Sequence, residues 1–351
     1  IYNWDTKKYF DVTSSGNSGI QLQQLVVLAG KRGKQLHLAE LNTQAAQWNF
    51  LDLTRALRYQ LRTDFFTLFY LQQLLAFYDK NLSTLRQTVH SVEAVYANRS
   101  ILLSEVLRLK SLLFSLETER LKLLDQMVDI QGELHTLVGD STFSNSYFIP
   151  QAEPQRIDEV SPSPLSIEQL METAKSHRPD VMSIETAMKT EEANLSLQRS
   201  LAIPDITVGG LWSRQGSYIP NYYAVTLQFD LPILNRNQGN IRTSEENLEA
   251  DIRTYQSSLQ RLEKDIHGAF DHAVAIDSMY RSFDKKFTGE YRDLVAGMVA
   301  SYEKRNVNII EFTDFFESYR TSVVQMQQLQ IDRMNAFENL NYVVGTTLMN
   351  P

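Results

Sequence analysis

The chain has 351 residues, is 43% hydrophobic and carries 22% charged residues, which is enough apolar material for a packed protein and too little charge for a disordered one. Its formal net charge of −8, with no lysine- or arginine-rich run, argues against nucleic acid as the main partner. Cysteine is absent, which excludes a disulfide framework and thiolate chemistry and fits the periplasm, and no apolar run reaches the ~18 residues of a membrane helix.

In chain order, residues 1–12, with Tyr2, Trp4, Tyr9 and Phe10, read as a strand, and Thr13–Gly19 as a turn. Residues 20–28 read as a second strand, Ile20 and Leu22 alternating with Gln21 and Gln23. Gly30-Lys31-Arg32-Gly33 breaks it and opens a long helix. Neither Pro nor Gly occurs between Lys34 and Gln131, so the usual helix breakers and C-caps are missing. At ~1.5 Å per residue, roughly 64 residues from 34 to 97 make a rod of about 95 Å, far beyond an ordinary globular helix and in need of partner helices along its length. A second helix is expected over about 101–137. Its apolar positions Leu102, Val106, Leu109, Leu113, Leu116, Leu123, Met127, Ile130, Leu134 and Leu137 step mainly by three and four. A Ser- and Pro-rich linker follows over 140–165, then helices at 166–174 and 179–201, the latter with Pro179 in its first turn. Ile206–Trp212 and Val225–Leu231 read as two strands about a turn at 215–221, and two further long helices follow over about 238–300 and 306–346.

The chain is built twice. Shifted by 206 positions without a gap, Gly33 falls on Gly239 and Arg55 on Arg261. Likewise Ala94, Tyr96, Arg99 and Glu105 fall on Ala300, Tyr302, Arg305 and Glu311, and Leu134, Val138 and Gly139 on Leu340, Val344 and Gly345. The matches cluster at the start, middle and end of the two long-helix patterns, which is the mark of an internal repeat. The first repeat is 1–139, with a β-hairpin over 1–29 and a helix pair over 30–139. The second is 166–351, with helices over 166–202, a hairpin over 203–232 and a helix pair over 233–347. The first lacks a counterpart to 166–202, so N-terminal helices are expected to be missing from the chain. Strand parity differs between the repeats at this shift, which calls for a bulge or a one-residue slip near 25–29. Four strands cannot close a membrane barrel, which needs about eight. The strands are therefore expected to pair with those of other copies, eight in a dimer or twelve in a trimer. The aromatics Tyr2, Trp4, Trp212, Tyr218, Tyr222 and Tyr223 fit either an aromatic girdle or a sheet packed on helices.

Duplicated long helix pairs, each entered from a β-hairpin, resemble the TolC-like outer-membrane efflux family. Arg178-Pro179-Asp180, a helix, and then Ile203-Pro204-Asp205 entering a strand are similar to that family's second repeat, as is Leu231-Pro232-Ile233-Leu234-Asn235-Arg236-Asn237-Gln238-Gly239. Gly30–Gly33 is similar to members of the heavy-metal (cobalt–zinc–cadmium) branch. The resemblance implies an α+β, mainly α fold: a homotrimer whose helix hairpins form a periplasmic α-barrel and whose twelve strands form one β-barrel in outer-membrane lipid. It implies a passive efflux duct for small molecules or metal cations, working with a periplasmic adaptor and an inner-membrane pump. A protein-secretion duct and a soluble coiled-coil scaffold are the alternatives.

The resemblance places the periplasmic tip at the helix turns, with Tyr96, Arg99, Ser100, Tyr302, Arg305 and Asn306 as adaptor contacts. Glu311 and Asp314 lie three apart on one helix face. Three-fold symmetry would make them two rings of carboxylates, a cation-attracting constriction; a solvated helix face is the plainer alternative. The first repeat offers Glu105 but Arg108 in the place of Asp314, and Arg108 is expected to pair with an acid of a neighbouring helix. Arg99-Ser100 and Arg305-Asn306 stand where that family's tip turn commonly has a glycine. No two of the six histidines have helical metal-site spacing, and no nucleophile, phosphate-loop or zinc motif appears, so neither enzymatic activity nor a cofactor is expected.

Overall fold

A computed structural model describes residues 7, 18–139, 147–215, 220–283, 294 and 297–350. Its elements are strand β1 (Gly19–Val26), helices α1 (Lys31–Ala97), α2 (Leu103–Val138), α3 (Pro154–Glu159), α4 (Ile167–His177) and α5 (Pro179–Leu201), strands β2 (Ile206–Gln215) and β3 (Pro220–Phe229), and helices α6 (Gln238–Ser282) and α7 (Ile309–Val344). Residues 297–303 are also helical. The expected strand over 1–12 and the Tyr218 turn lie outside the described residues. So do most of 284–296: the described part of the third long helix runs to Ser282, residues 294 and 297–303 are again helical, and the stretch between lies outside the described residues. The segment read as a linker contains the short helix α3, started by Pro154 at a first-turn position where a missing N–H is harmless. Helix α4 continues three residues past the expected end.

The chain divides into two compact units, each drawing on both sequence repeats: 1–49 with 180–259, and 50–179 with 260–351. In the first unit the three strands form one antiparallel sheet, ordered β1-β2-β3. β2 and β3 make the expected hairpin, and β1 pairs with β2 across the repeat boundary, Gly19 opposite Ser213 through Val26 opposite Ile206. Gly209 sits mid-strand for a steric reason. A Cβ there would lie 2.7 Å from Thr226 Oγ1 and 2.8 Å from the Leu22 carbonyl oxygen. Just past β1, Ala29 and Gly30 are both left-handed, φ 55° and 67°, at the place where the repeats' parity calls for an irregularity. The next turn is locked by Asp205, whose Oδ1 accepts from Lys31 Nζ at 2.7 Å and from the Leu28 amide at 2.9 Å. Lys31 Nζ also donates to the Ile203 carbonyl. The Gly-Lys-Arg-Gly and Ile-Pro-Asp segments, 172 residues apart, are thus one joint. These bonds hold the Asp205 carboxyl below its ordinary range.

The second unit is a helical core. Leu68, Leu82 and Leu85 of α1, Leu109 and Leu116 of α2, Ile266 of α6 and Phe312, Phe337 and Leu340 of α7 are all shut from solvent. Helix ends follow from local chemistry: Ser166 Oγ accepts from the Gln169 amide, Asn308 Oδ1 accepts from Ile310 and Glu311, and the left-handed Gly139 and Gly345 close α2 and α7. The connection bearing α3 is pinned by a buried ion cluster. Arg333 donates to Asp277 at 2.8 Å and to the Ile157 and Val160 carbonyls, while Asp277 also accepts from Ser161 and Arg281. Arg62 grips the buried Glu338 through two bonds of 2.6 and 2.7 Å.

Candidate functional site: two equivalent helix turns

Helix α1 ends at Ala97 and the helical segment 297–303 ends 206 positions later. Both ends close in the same way. The Ser100 amide reaches back to the Val95 carbonyl and the Arg99 amide to Tyr96; in the second turn Asn306 reaches to Ser301 and Arg305 to Tyr302. This paired 6→1 and 5→2 pattern is a Schellman motif, whose penultimate position is left-handed and normally glycine. Here that position is arginine both times, with φ 57° at Arg99 and 60° at Arg305. A left-handed L-residue costs about 1–2 kcal/mol, so each turn holds a strained backbone beneath an exposed guanidinium.

The two turns are neighbours. Arg305 Nη1 points at the Ser100 carbonyl oxygen at 3.5 Å. Tyr302 is buried and stacks on Phe312, ring centroids 4.8 Å apart, and Phe312 continues to Phe316. Burial, and then the negative charge of Glu105, push the Tyr302 hydroxyl above its ordinary pKa, with Arg305 opposing. Glu105 of the first repeat, with Tyr302 and Arg305 of the second, therefore form one electrostatic cluster. The repeats are not equivalent here: Tyr96, the counterpart of Tyr302, is 40% exposed.

Glu311 and Asp314 are both exposed on the first turns of α7. Arg108 is exposed on α2, and among the described residues it makes no ion pair, so the expected lock is not seen within them. Sequence reading missed a ladder that fastens α1 to α2 above the turn: Glu93–Lys110 at 2.5 Å, Arg86–Glu117 at 2.8 Å and Asp79–Arg120 at 2.6 Å. It also missed Arg320 of α7, which donates to Glu119 at 2.9 Å while Tyr78 donates to the same carboxylate. Opposite charges at 93/110, 86/117 and 79/120 are the antiparallel-hairpin signal that could have revealed the ladder. No group of three His, Cys, Asp or Glu that could hold a metal occurs among the described residues.

The sheet presents a second surface. The register aligns Ile20 with Trp212 and Tyr223, Leu22 with Gly210 and Val225, and Gln24 with Val208 and Leu227 on one face. The other face is mainly polar, with Gln21, Gln23, Thr207, Ser213, Thr226 and Gln228 beside Leu25, Leu211 and Ala224. The apolar face is bare, Leu22 being 75% and Val225 86% exposed, which corrects the alternative of a sheet packed on helices. Trp212 and Tyr223 lie together on it near the β2–β3 turn, whereas Tyr222 points to the polar side. Tyr2 and Trp4 lie outside the described residues.

No family model and no curated protein matches the chain in sequence. Solved structures match in fold. The CmeC outer-membrane channel of Campylobacter jejuni aligns with a TM-score of 0.78 at 12% identity, over 94% of this chain and 71% of that one. The open-state MtrE outer-membrane channel of Neisseria gonorrhoeae aligns at 0.71 and 15% identity, over 95% and 80%. CusC, a structure describing folding and transmembrane channel formation, aligns at 0.71 and 15%, over 94% and 83%. At these identities the likeness concerns architecture: the chain has the fold of the TolC-like outer-membrane channels.

Proposed function

We propose that this chain is one protomer of an outer-membrane efflux duct that extends into the periplasm. The observation that carries the reading is the two-faced sheet. Strands that alternate a bare apolar face with a polar one suit a barrel wall between lipid and an aqueous lumen. A soluble scaffold would gain nothing from exposing Leu22, Tyr223, Val225 and Leu227 together. The three described strands are too few to close such a wall, so further copies are proposed to supply the rest, a trimer with twelve strands being the proposed assembly. The helices support the same arrangement. Leu107, Phe114, Leu121 and Val128 of α2 are exposed at seven-residue intervals, a stripe that calls for a helix from another copy.

In this reading the paired turns at Arg99 and Arg305 form the periplasmic tip and the contact for an adaptor, which couples the duct to an inner-membrane pump. Glu311 and Asp314, exposed and without an ion pair among the described residues, are the proposed constriction, together with Glu105 and Arg108. The cargo proposed is small molecules or metal cations, the latter from the resemblance of Gly30–Gly33 to the heavy-metal branch. The duct itself performs no chemistry. The assembly is tested by mass determination of the purified protein in detergent, where three copies are expected. A stable monomer in the absence of detergent would refute the membrane duct.

A further inference from the structure

One buried carboxylate has no role in the duct as described. Asp64, midway along α1, is 6% exposed. Its Oδ1 accepts from Gln60 Nε2 at 2.9 Å. The same amide nitrogen donates to Glu133 Oε2 of α2 at 3.2 Å, so a single neutral donor bridges two acids on facing helices. Asp64 Oδ2 is closed to solvent and has no hydrogen-bond partner among the described residues. Among the described residues neither acid makes an ion pair. The nearest basic residue in sequence, Arg62, is already committed to Glu338 of α7. Burial pushes the Asp64 carboxyl above its usual range and the charge of Glu133 pushes it the same way, against the Gln60 hydrogen bond. An ionised carboxylate closed off in this way is costly, and neutralisation is the ordinary escape.

We propose that Asp64 is held as the neutral acid and that loss of its proton loosens α1 from α2 at this level, making the Asp64–Gln60–Glu133 cluster a pH-sensitive joint in the helix pair. The proposal stands apart from the transport reading, since it concerns only the packing of one hairpin. With the carboxyl neutral, the Gln60 amide faces one charge instead of two. With it ionised, two negative charges share one N–H donor group across the α1–α2 seam. The joint therefore tightens as pH falls and relaxes as pH rises through the raised folded-state pKa.

The test compares thermal unfolding of the detergent-solubilised protein with that of Asp64→Asn between about pH 5 and about pH 8. Stability from a raised carboxyl pKa is fully present below the unfolded value and is lost as pH rises through the folded one. Asp64→Asn, permanently neutral, should melt higher than the wild type at the alkaline end, and the gap should close towards the acid end. Glu133→Gln in the wild-type background should shrink the gap, because it removes the neighbouring charge. Infrared spectroscopy of the unmutated protein gives a readout that does not depend on any variant folding, a protonated-carboxyl band that disappears as pH is raised. A gap constant across the range, an Asn variant less stable throughout, or the absence of that band would overturn the proposal. So would a divalent cation that closes the gap in the wild type, since a cation would then be the occupant.

Discussion

Replacing Arg305 by Gly and, separately, by Ala divides the tip's backbone strain from its side-chain role. Arg305 holds φ 60° in its Schellman turn, a conformation costing an L-residue about 1–2 kcal/mol. Glycine removes that strain but gains freedom in the unfolded chain worth about 0.5–1 kcal/mol, so the Gly variant should be more stable than the Ala variant by roughly 0.5–1 kcal/mol. Both lose the guanidinium and its 3.5 Å approach to the Ser100 carbonyl, an exposed contact worth about 0.5 kcal/mol at most. The Gly variant should therefore match or exceed the wild type in unfolding midpoint, while the Ala variant falls slightly below it. Efflux in cells should drop equally in both, because the lost charge, and not the fold of the turn, would be what an adaptor meets. The same pair at Arg99, φ 57°, should repeat the stability order. If the Gly variant is less stable than the Ala variant, the left-handed assignment is wrong. If efflux is unchanged while trimer yield holds, docking lies elsewhere.

Gly345→Ala should be severely destabilising in a melting experiment, because φ is +83° and the new Cβ would lie 2.8 Å from the His177 carbonyl oxygen and 3.2 Å from the Arg178 nitrogen, both backbone atoms. Asp277→Asn should cost about 3–5 kcal/mol by denaturant unfolding, since it leaves the fully buried Arg333 without its counter-charge. Although burial works to raise it, bonds from Ser161, Arg281 and Arg333 hold the Asp277 carboxyl below its ordinary value. Its contribution is therefore present above the unfolded pKa and lost as pH falls through the folded one, and the wild type's advantage over the Asn variant should shrink in acid.

The likeness of the two turns and of the two helix ends was legible because tight turns and caps tolerate few residue types, and Arg99/Arg305 and Gly139/Gly345 stand at one shared spacing. Long helices were legible from the absence of breakers, and the strand faces from the alternation at Ile20–Gln23 and Val225–Phe229. What escaped the sequence was pairing at long range. β1 lies against β2, not against any strand of the described first repeat, and Asp205 reaches back to Lys31; neither partner leaves a local signal. The site was legible only by position. The left-handed arginines, the burial of Tyr302 beside Glu105 and the exposure of Tyr96 depend on how two distant turns meet, which periodicity cannot encode.

The constriction is where position and chemistry must be tested together. Glu311 and Asp314 are exposed and make no ion pair among the described residues of one protomer. Glu311 sits in the first turn of α7, where the helix dipole favours an acid, and its backbone amide is already held by Asn308, so the side chain is not needed for capping. Replacing both acids with Ala should accordingly leave folding and trimer yield near the wild-type level. If three copies bring six carboxylates to one mouth, the double variant should lose cation preference and divalent block in single-channel recordings. Arg108→Ala should act in the opposite sense, raising conductance, if Arg108, which makes no ion pair among the described residues, stabilises a closed mouth by meeting an acid of the next protomer. Unchanged block and selectivity in the double variant would show these acids to be merely solvated, and Arg108 would then have no ring of charge to answer.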